Sequence, residues 1–172
     1  MYNLKVLVTK NEITHRISEL AAEIRRDYKE SNPLLVSALK GSFVFMADLI
    51  REINVPMEID FVRLSSYGSG KESSGNIKLS QGIKTSIKDR HVLVIEDVVD
   101  SGLTVRFLLD YLGRRKPASL KLCALFDKPS RRQVEVPIDY LGFTIPDVFI
   151  VGYGIDFDEK YRYLPDLCFL EE

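Results

Sequence analysis

The sequence predicts an α/β protein built on an open, mostly parallel sheet flanked by helices. Three observations lead there. Short apolar strands alternate with amphipathic helical stretches, the order that right-handed strand–helix–strand crossovers produce. The stretch Val92 to Ile95 is an unbroken apolar run, as a strand buried on both faces requires. That run meets carboxylates and small residues at its carboxyl end, where ligands bind in such sheets.

Asn11 to Lys29 carries Ile13, Ile17, Leu20, Ala21 and Ile24 at helical spacing, which predicts a first amphipathic helix. Pro33 to Leu39 is a short apolar strand, and Ser42 to Ile53 is the next helix. Met57 to Leu64 alternates apolar with charged residues and is expected to be a strand. From Ser65 to Gly75, serine or glycine stands at positions 65, 66, 68, 69, 70, 73, 74 and 75. Such a composition packs poorly, so a mobile loop is expected, with a strand near Ile77 to Leu79 after it. The Val92 strand leads into a helix from about Leu103 to Arg115, with Leu103, Phe107, Leu108, Tyr111 and Leu112 on one face. Leu120 to Phe126 and Val148 to Val151 are further strands. Four segments then converge at strand carboxyl ends: Lys40-Gly41, Glu96 to Thr104, Lys128, and Gly152 to Asp156.

A length of 172 residues fits one domain, residues 1–172, able to bury a core. Hydrophobic residues make up 45% and charged residues 28%, ordinary values for a globular protein. A net charge of -1 gives no reason to expect nucleic acid or an anionic membrane as a partner. The basic clusters Arg25-Arg26, Arg114-Arg115-Lys116 and Arg131-Arg132 are short and separated, and most read as solvated helix ends or loops. Cys123 and Cys168 lie in apolar sequence and read as buried free thiols. His15 and His91 have no spacing suited to zinc. Without a membrane-length apolar run or a leader pattern, a cytoplasmic protein is expected.

Glu96 and Asp97 stand at the end of the Val92 strand, Asp100 follows, and Ser101, Gly102 and Thr104 lead into a helix. Amides and the dipole at a helix N-terminus suit a phosphate, while the carboxylates suit sugar hydroxyls and a cation. Leu39-Lys40-Gly41-Ser42 joins a strand to a helix, where the amides and the lysine could hold an anion. Two common nucleotide signatures are missing. Gly68-Ser-Gly70 has Ser73 where a dinucleotide fingerprint needs glycine, and no Gly-x-x-x-x-Gly-Lys-Ser/Thr loop occurs.

Ile95-Glu-Asp-Val-Val-Asp-Ser-Gly-Leu-Thr104 resembles the phosphoribosyl pyrophosphate (PRPP) signature of type I phosphoribosyltransferases. The resemblance implies that family's fold, with a small hood and a mobile catalytic loop over the sheet. It implies that Glu96 and Asp97 engage the ribose hydroxyls and Mg²⁺, and that Asp100, Ser101, Gly102, Leu103 and Thr104 hold the 5′-phosphate. Leu39-Lys40-Gly41 resembles the family's pyrophosphate loop, which implies a cis peptide between Leu39 and Lys40. Ser65-Ser66-Tyr67 is similar to the catalytic loop that closes over the reaction centre.

Lys128 and Phe149-Ile-Val-Gly-Tyr-Gly-Ile-Asp156, with Arg162 beyond, resemble the purine pocket of the hypoxanthine-guanine branch. By that match Lys128 donates to a purine 6-oxygen, Phe149 stacks on the base and Ile150 supplies main-chain hydrogen bonds. Asp156 acts at the metal-pyrophosphate, Arg162 pairs with pyrophosphate, and Asp100 is the general base for the purine N7 proton. The implied reaction takes PRPP and a 6-oxopurine, hypoxanthine or guanine, to the nucleoside monophosphate and pyrophosphate, in a homodimer or homotetramer. Ile150 and Ser101 depart mildly from the valine and threonine common in relatives. The competing readings are a PRPP-sensing, nucleic-acid-binding regulator of the same fold, and a pyrimidine- or adenine-specific transferase. The charge balance opposes the first, and Lys128 with the Phe149 to Asp156 pattern opposes the second.

Overall fold

The computed structural model describes residues 3–66 and 77–171. Its first half runs β1 (Asn3–Val8), α1 (Lys10–Tyr28), β2 (Leu34–Leu39), α2 (Phe43–Ile53), β3 (Glu58–Ser66) and β4 (Ile77–Gln81). Then come β5 (His91–Val99), α3 (Leu103–Gly113), β6 (Ser119–Asp127), β7 (Tyr140–Thr144), β8 (Ile150–Val151) and β9 (Leu167–Glu171). The main sheet has the order β4-β3-β2-β5-β6-β7. β3, β2, β5, β6 and β7 pair in parallel, and β4 is an antiparallel edge. The mostly parallel α/β sheet is as expected.

The central strands read as continuous apolar runs because both of their faces are covered. Side chains still alternate along each strand. Leu35, Leu93, Ile95, Cys123 and Leu125 share a core with α1 and α2. Leu34, Val36, Val92, Val94, Leu122 and Ala124 pack with α3 on the other face. α1 begins where Thr9 and Glu12 form a reciprocal capping box, and Ile13, Ile17, Leu20, Ala21 and Ile24 are all buried. On α3 the buried residues are Val105, Leu108 and Leu112. Leu103, Phe107 and Tyr111, expected on that face, are only partly buried.

Three strands were not anticipated: β1, β7 and β9. β1, β9 and β8 form a separate antiparallel sheet that joins the two ends of the chain, with Asn3 opposite Glu171. This is the hood, and Val8, Ile150 and Leu167 root it in the α1/α2 core. β5 does not stop at Ile95. It stays in register with β6 through Val99, so Glu96 and Asp97 belong to the strand itself. Ser65 and Ser66 do not open a loop either, since they end β3 opposite Lys78 and Ile77. Tyr67 and the rest of the expected loop to Gly75 lie outside the described residues.

Candidate active site

The turn after β2 is braced from within. Ser42 Oγ donates to the Ala38 carbonyl at 2.6 Å and also contacts the Ser37 hydroxyl. The Leu39–Lys40 peptide is cis, as the resemblance implied. Gly41 lets Asp97 approach closely: a Cβ there would lie 2.0 Å from Asp97 Oδ2, and the carboxylate would have to shift. Lys40, Gly41, Glu96, Asp97 and Thr104 line one cavity of about 250 Å³.

Glu96 is 5% exposed, and its Oε1 is buried without a hydrogen-bond partner. Burial first, and then the charge of Asp97, push its pKa well above the ordinary carboxylate range. Asp97 is pushed up to about 6, chiefly by burial. Main-chain amides and the Arg162 guanidinium oppose that rise, while Asp156 adds to it. Among the described residues no three His, Cys, Asp or Glu side chains converge as metal ligands. An orphaned buried oxygen beside a second carboxylate nevertheless fits Mg²⁺, which takes one or two protein carboxylates and fills its shell with water and substrate phosphate.

Beyond β5, the chain passes through Asp100 to Gly102 into α3. Gly102 has φ +83°, and a Cβ there would meet the Val134 carbonyl at 2.2 Å, so the bend needs glycine on two counts. The Ser101 carbonyl accepts from the amides of Gln133 (2.9 Å) and Val134 (3.0 Å). Ser101 Oγ accepts from the Leu103 amide at 3.4 Å. The amides of Thr104 and Val105, next in α3, have no intrahelical partner and are available to an anion. Asp100 Oδ1 is buried without a hydrogen bond, with Arg131 Nε 3.6 Å away.

Lys128 caps the end of β6. It is 5% exposed, its amide donates to Val99 and its Nζ donates to the Val148 carbonyl at 2.8 Å. Burial pushes its pKa down, and the nearby Asp100 charge pulls it back up. The segment after it clamps the Asp100 loop: Arg132 Nε donates to the Asp100 carbonyl at 3.1 Å, and its guanidinium pairs with Asp127 in a buried contact. Arg132 therefore corrects the expectation of a solvated basic cluster. Arg25 does too, since its Nε donates to the Ile53 carbonyl at 2.8 Å. Charge runs alone do not reveal which arginine turns inward.

The hood supplies the remaining wall. Phe149 is 51% exposed and meets Phe157 edge-to-face at 5.2 Å. Its carbonyl accepts from the Leu170 amide, so Ile150 opposite Phe169 is a non-hydrogen-bonded pair. The main-chain groups of Ile150 therefore point away from β9. Arg162 Nη2 lies 2.8 Å from Asp156 Oδ1, and Nη1 donates to the Gly154 carbonyl at 2.9 Å. A residue missed in the sequence completes this wall. Glu159 accepts from Lys40 Nζ at 2.9 Å through both oxygens and lies 3.3 Å from Arg162 Nη2. The Lys40 hydrogen bond, then that of Arg162, hold its carboxyl below the usual range. The fold thus gathers Lys40, Gly41, Glu96, Asp97, Thr104, Asp156 and Arg162 on one side and Asp100 with Lys128 on the other. Ser65 and Ser66 follow Leu64, which lines the cavity with Ile77, and Tyr67 lies outside the described residues.

The chain matches the phosphoribosyl transferase domain family over residues 7–158. It is similar to hypoxanthine phosphoribosyltransferase of Haemophilus influenzae, with 46% identity over 166 residues, 95% of this chain and 93% of that one. It is also similar to hypoxanthine-guanine phosphoribosyltransferase of Bacillus subtilis, at 45% identity over 94% of this chain and 89% of that one. A crystal structure of a hypoxanthine-guanine phosphoribosyltransferase from Bacillus anthracis superposes with a TM-score of 0.92 at 46% identity, covering 97% of this chain and 98% of that one.

Proposed function

The chain belongs to the phosphoribosyltransferase family, and on that premise we propose that it transfers the 5-phosphoribosyl group of PRPP to hypoxanthine or guanine, giving IMP or GMP and pyrophosphate. This is purine salvage. The observation that carries the acceptor is buried Lys128. An ammonium has three donors, and one is used by the Val148 carbonyl. A 6-oxo group satisfies a remaining donor, whereas the 6-amino group of adenine leaves it unpaired, a mismatch that discriminates by about 10⁴ or more.

The other roles follow from position. The half-exposed Phe149 ring stacks on the base, and the outward main chain of Ile150 reads its edge. The amides and hydroxyls of Ser101, Gly102, Leu103 and Thr104 hold the 5′-phosphate at the start of α3. Asp100, whose buried carboxyl oxygen makes no hydrogen bond and has only the Arg131 guanidinium 3.6 Å away, takes the N7 proton of the purine. Glu96 and Asp97 bind the ribose hydroxyls. Those two carboxylates, with Asp156 on the pyrophosphate side, would hold Mg²⁺, which supplies positive charge opposite the departing phosphates. Lys40, Gly41 and Arg162 bind that pyrophosphate, Arg162 as a planar fork. By the family resemblance the segment that begins with Ser65 and Ser66 at the end of β3 and continues to Tyr67 would shield the site from water, protecting a sugar that develops cationic character.

One phosphoribosyltransferase domain over residues 1–172 belongs to this reading, supported by a hood that shares the α1/α2 core. So does a homodimer or homotetramer, supported by the exposed Phe43 and Tyr163, which line one groove with Arg162. Two buried thiols without a disulfide suit the cytoplasm. Among the described residues no helix is long and apolar enough to cross a membrane. The test is turnover with PRPP, Mg²⁺ and, in turn, hypoxanthine, guanine, xanthine, adenine and uracil. Hypoxanthine or guanine should react, with adenine slower by about 10⁴. Equal turnover of adenine, or none with any base, would overturn the assignment.

A further inference from the structure

Lys40 and Arg162 are the two cations assigned to pyrophosphate, yet both are already occupied. Glu159 spans them, accepting from Lys40 Nζ through both carboxylate oxygens at 2.9 Å and lying 3.3 Å from Arg162 Nη2. The paired oxygens facing two cations are what a phosphate edge would present. The backbone makes the arrangement more telling. Phe157 and Lys160 exchange main-chain hydrogen bonds across a two-residue turn whose central residues, Asp158 and Glu159, have φ of +53° and +60°. Glycine or asparagine suits both places, and glutamate does nothing for such a turn. The glutamate side chain is directed instead to the cations. Gly154 adds a second tie, since a Cβ on it would meet the Gly41 carbonyl at 2.4 Å. The Lys40 loop therefore packs closely against the segment that leads into the Glu159 turn.

We infer that Glu159 is a resident stand-in for pyrophosphate, occupying Lys40 and sharing Arg162 with Asp156, whose Oδ1 lies 2.8 Å from Nη2, and displaced when the phosphates arrive. The inference rests on the functional reading above. It makes Glu159 a positioning residue that lowers affinity for the pyrophosphate group at both ends of the reaction. Entry of PRPP must first break the Lys40–Glu159 pair, and the same carboxylate re-forms it as the product leaves. At 53% and 65% exposure the partners are free to separate. Exposed pairs of this type alter an equilibrium by about two- to fivefold.

The experiment titrates pyrophosphate calorimetrically into the chain in Mg²⁺ buffer and measures KM for PRPP. Glu159→Gln should bind pyrophosphate about two- to fivefold more tightly and lower KM for PRPP by a similar factor. Glu159→Asn should do the same while relieving the turn, so it also covers a folding defect in the first variant. Asp158→Asn removes the same charge one residue away, from a side chain 80% exposed whose partner is Lys160, and should leave both values unchanged. Weaker or equal pyrophosphate binding by both Glu159 variants would overturn the inference, as would an equal gain in Asp158→Asn. A wild-type chain that binds no pyrophosphate would remove the functional reading, and the inference with it.

Discussion

Gly41→Ala should separate function from stability. The added Cβ would stand 2.0 Å from Asp97 Oδ2 and 2.9 Å from its Cγ. Ordinary contact therefore requires the carboxylate to retreat by roughly 1–1.5 Å. Asp97 is a short side chain on β5, and it can yield by leaving its preferred rotamer at a cost of about 0.5–1.5 kcal/mol. For a chain of this size that lowers the melting temperature by only about 1–6 °C. Displacing a group assigned to the ribose and its cation by 1 Å should reduce kcat/KM for PRPP about 10²-fold. Gly142→Ala is the contrast, because there the Cβ would lie 2.3 Å from the Leu125 carbonyl, a backbone atom that cannot yield cheaply. That variant should lose stability first. The measurements are kcat/KM for PRPP and thermal unfolding of both variants. Gly41→Ala with kcat/KM within threefold of wild type, or with a melting point as damaged as that of Gly142→Ala, would refute the reasoning.

Asp100→Ala should cut turnover by about 10²–10⁴ while PRPP binding, measured by calorimetry, largely survives; unchanged turnover would remove Asp100 from its role. Asp60 gives a pH prediction. Burial alone would raise its pKa, but hydrogen bonds from the Thr85, Phe61 and Lys84 amides more than offset that and leave it lowered. A lowered folded pKa contributes stability that is present above the unfolded value of about 3.9 and lost as the pH falls through the folded one. Asp60→Ala should therefore lose about 1–3 kcal/mol at pH 7 by denaturant titration. Its deficit should narrow below about pH 4, and a deficit constant down to pH 3 would contradict the assigned cause.

The elements legible in the sequence were those whose burial is written in local periodicity. α1 shows a complete apolar stripe, and β2, β5 and β6 read as mostly apolar runs because helices cover both faces of the sheet. β1 and β9 are not legible locally because each is short and pairs only with strands distant in sequence, β1 with β9 at opposite ends of the chain. β5 was expected to end at its first carboxylate, yet pairing with β6 carries it on to Val99. Polarity alone does not end a strand whose ladder partner continues.

By itself, the sequence determined the chemistry on offer: the carboxylates and small residues around Asp100, the lysine after β6, and the loop at Lys40. It set these by the order of residue types along a few turns of chain. Only the tertiary structure decided what state those groups are in. Glu96 is an orphaned carboxylate because it is buried beside Asp97 in the cavity wall, and Lys128 is a desolvated donor because it is buried with its Nζ on the Val148 carbonyl. Arg132 turns inward to Asp127, and Lys40 meets a glutamate 119 residues away. Desolvation and pairing depend on neighbours distant in sequence, so no local pattern encodes them.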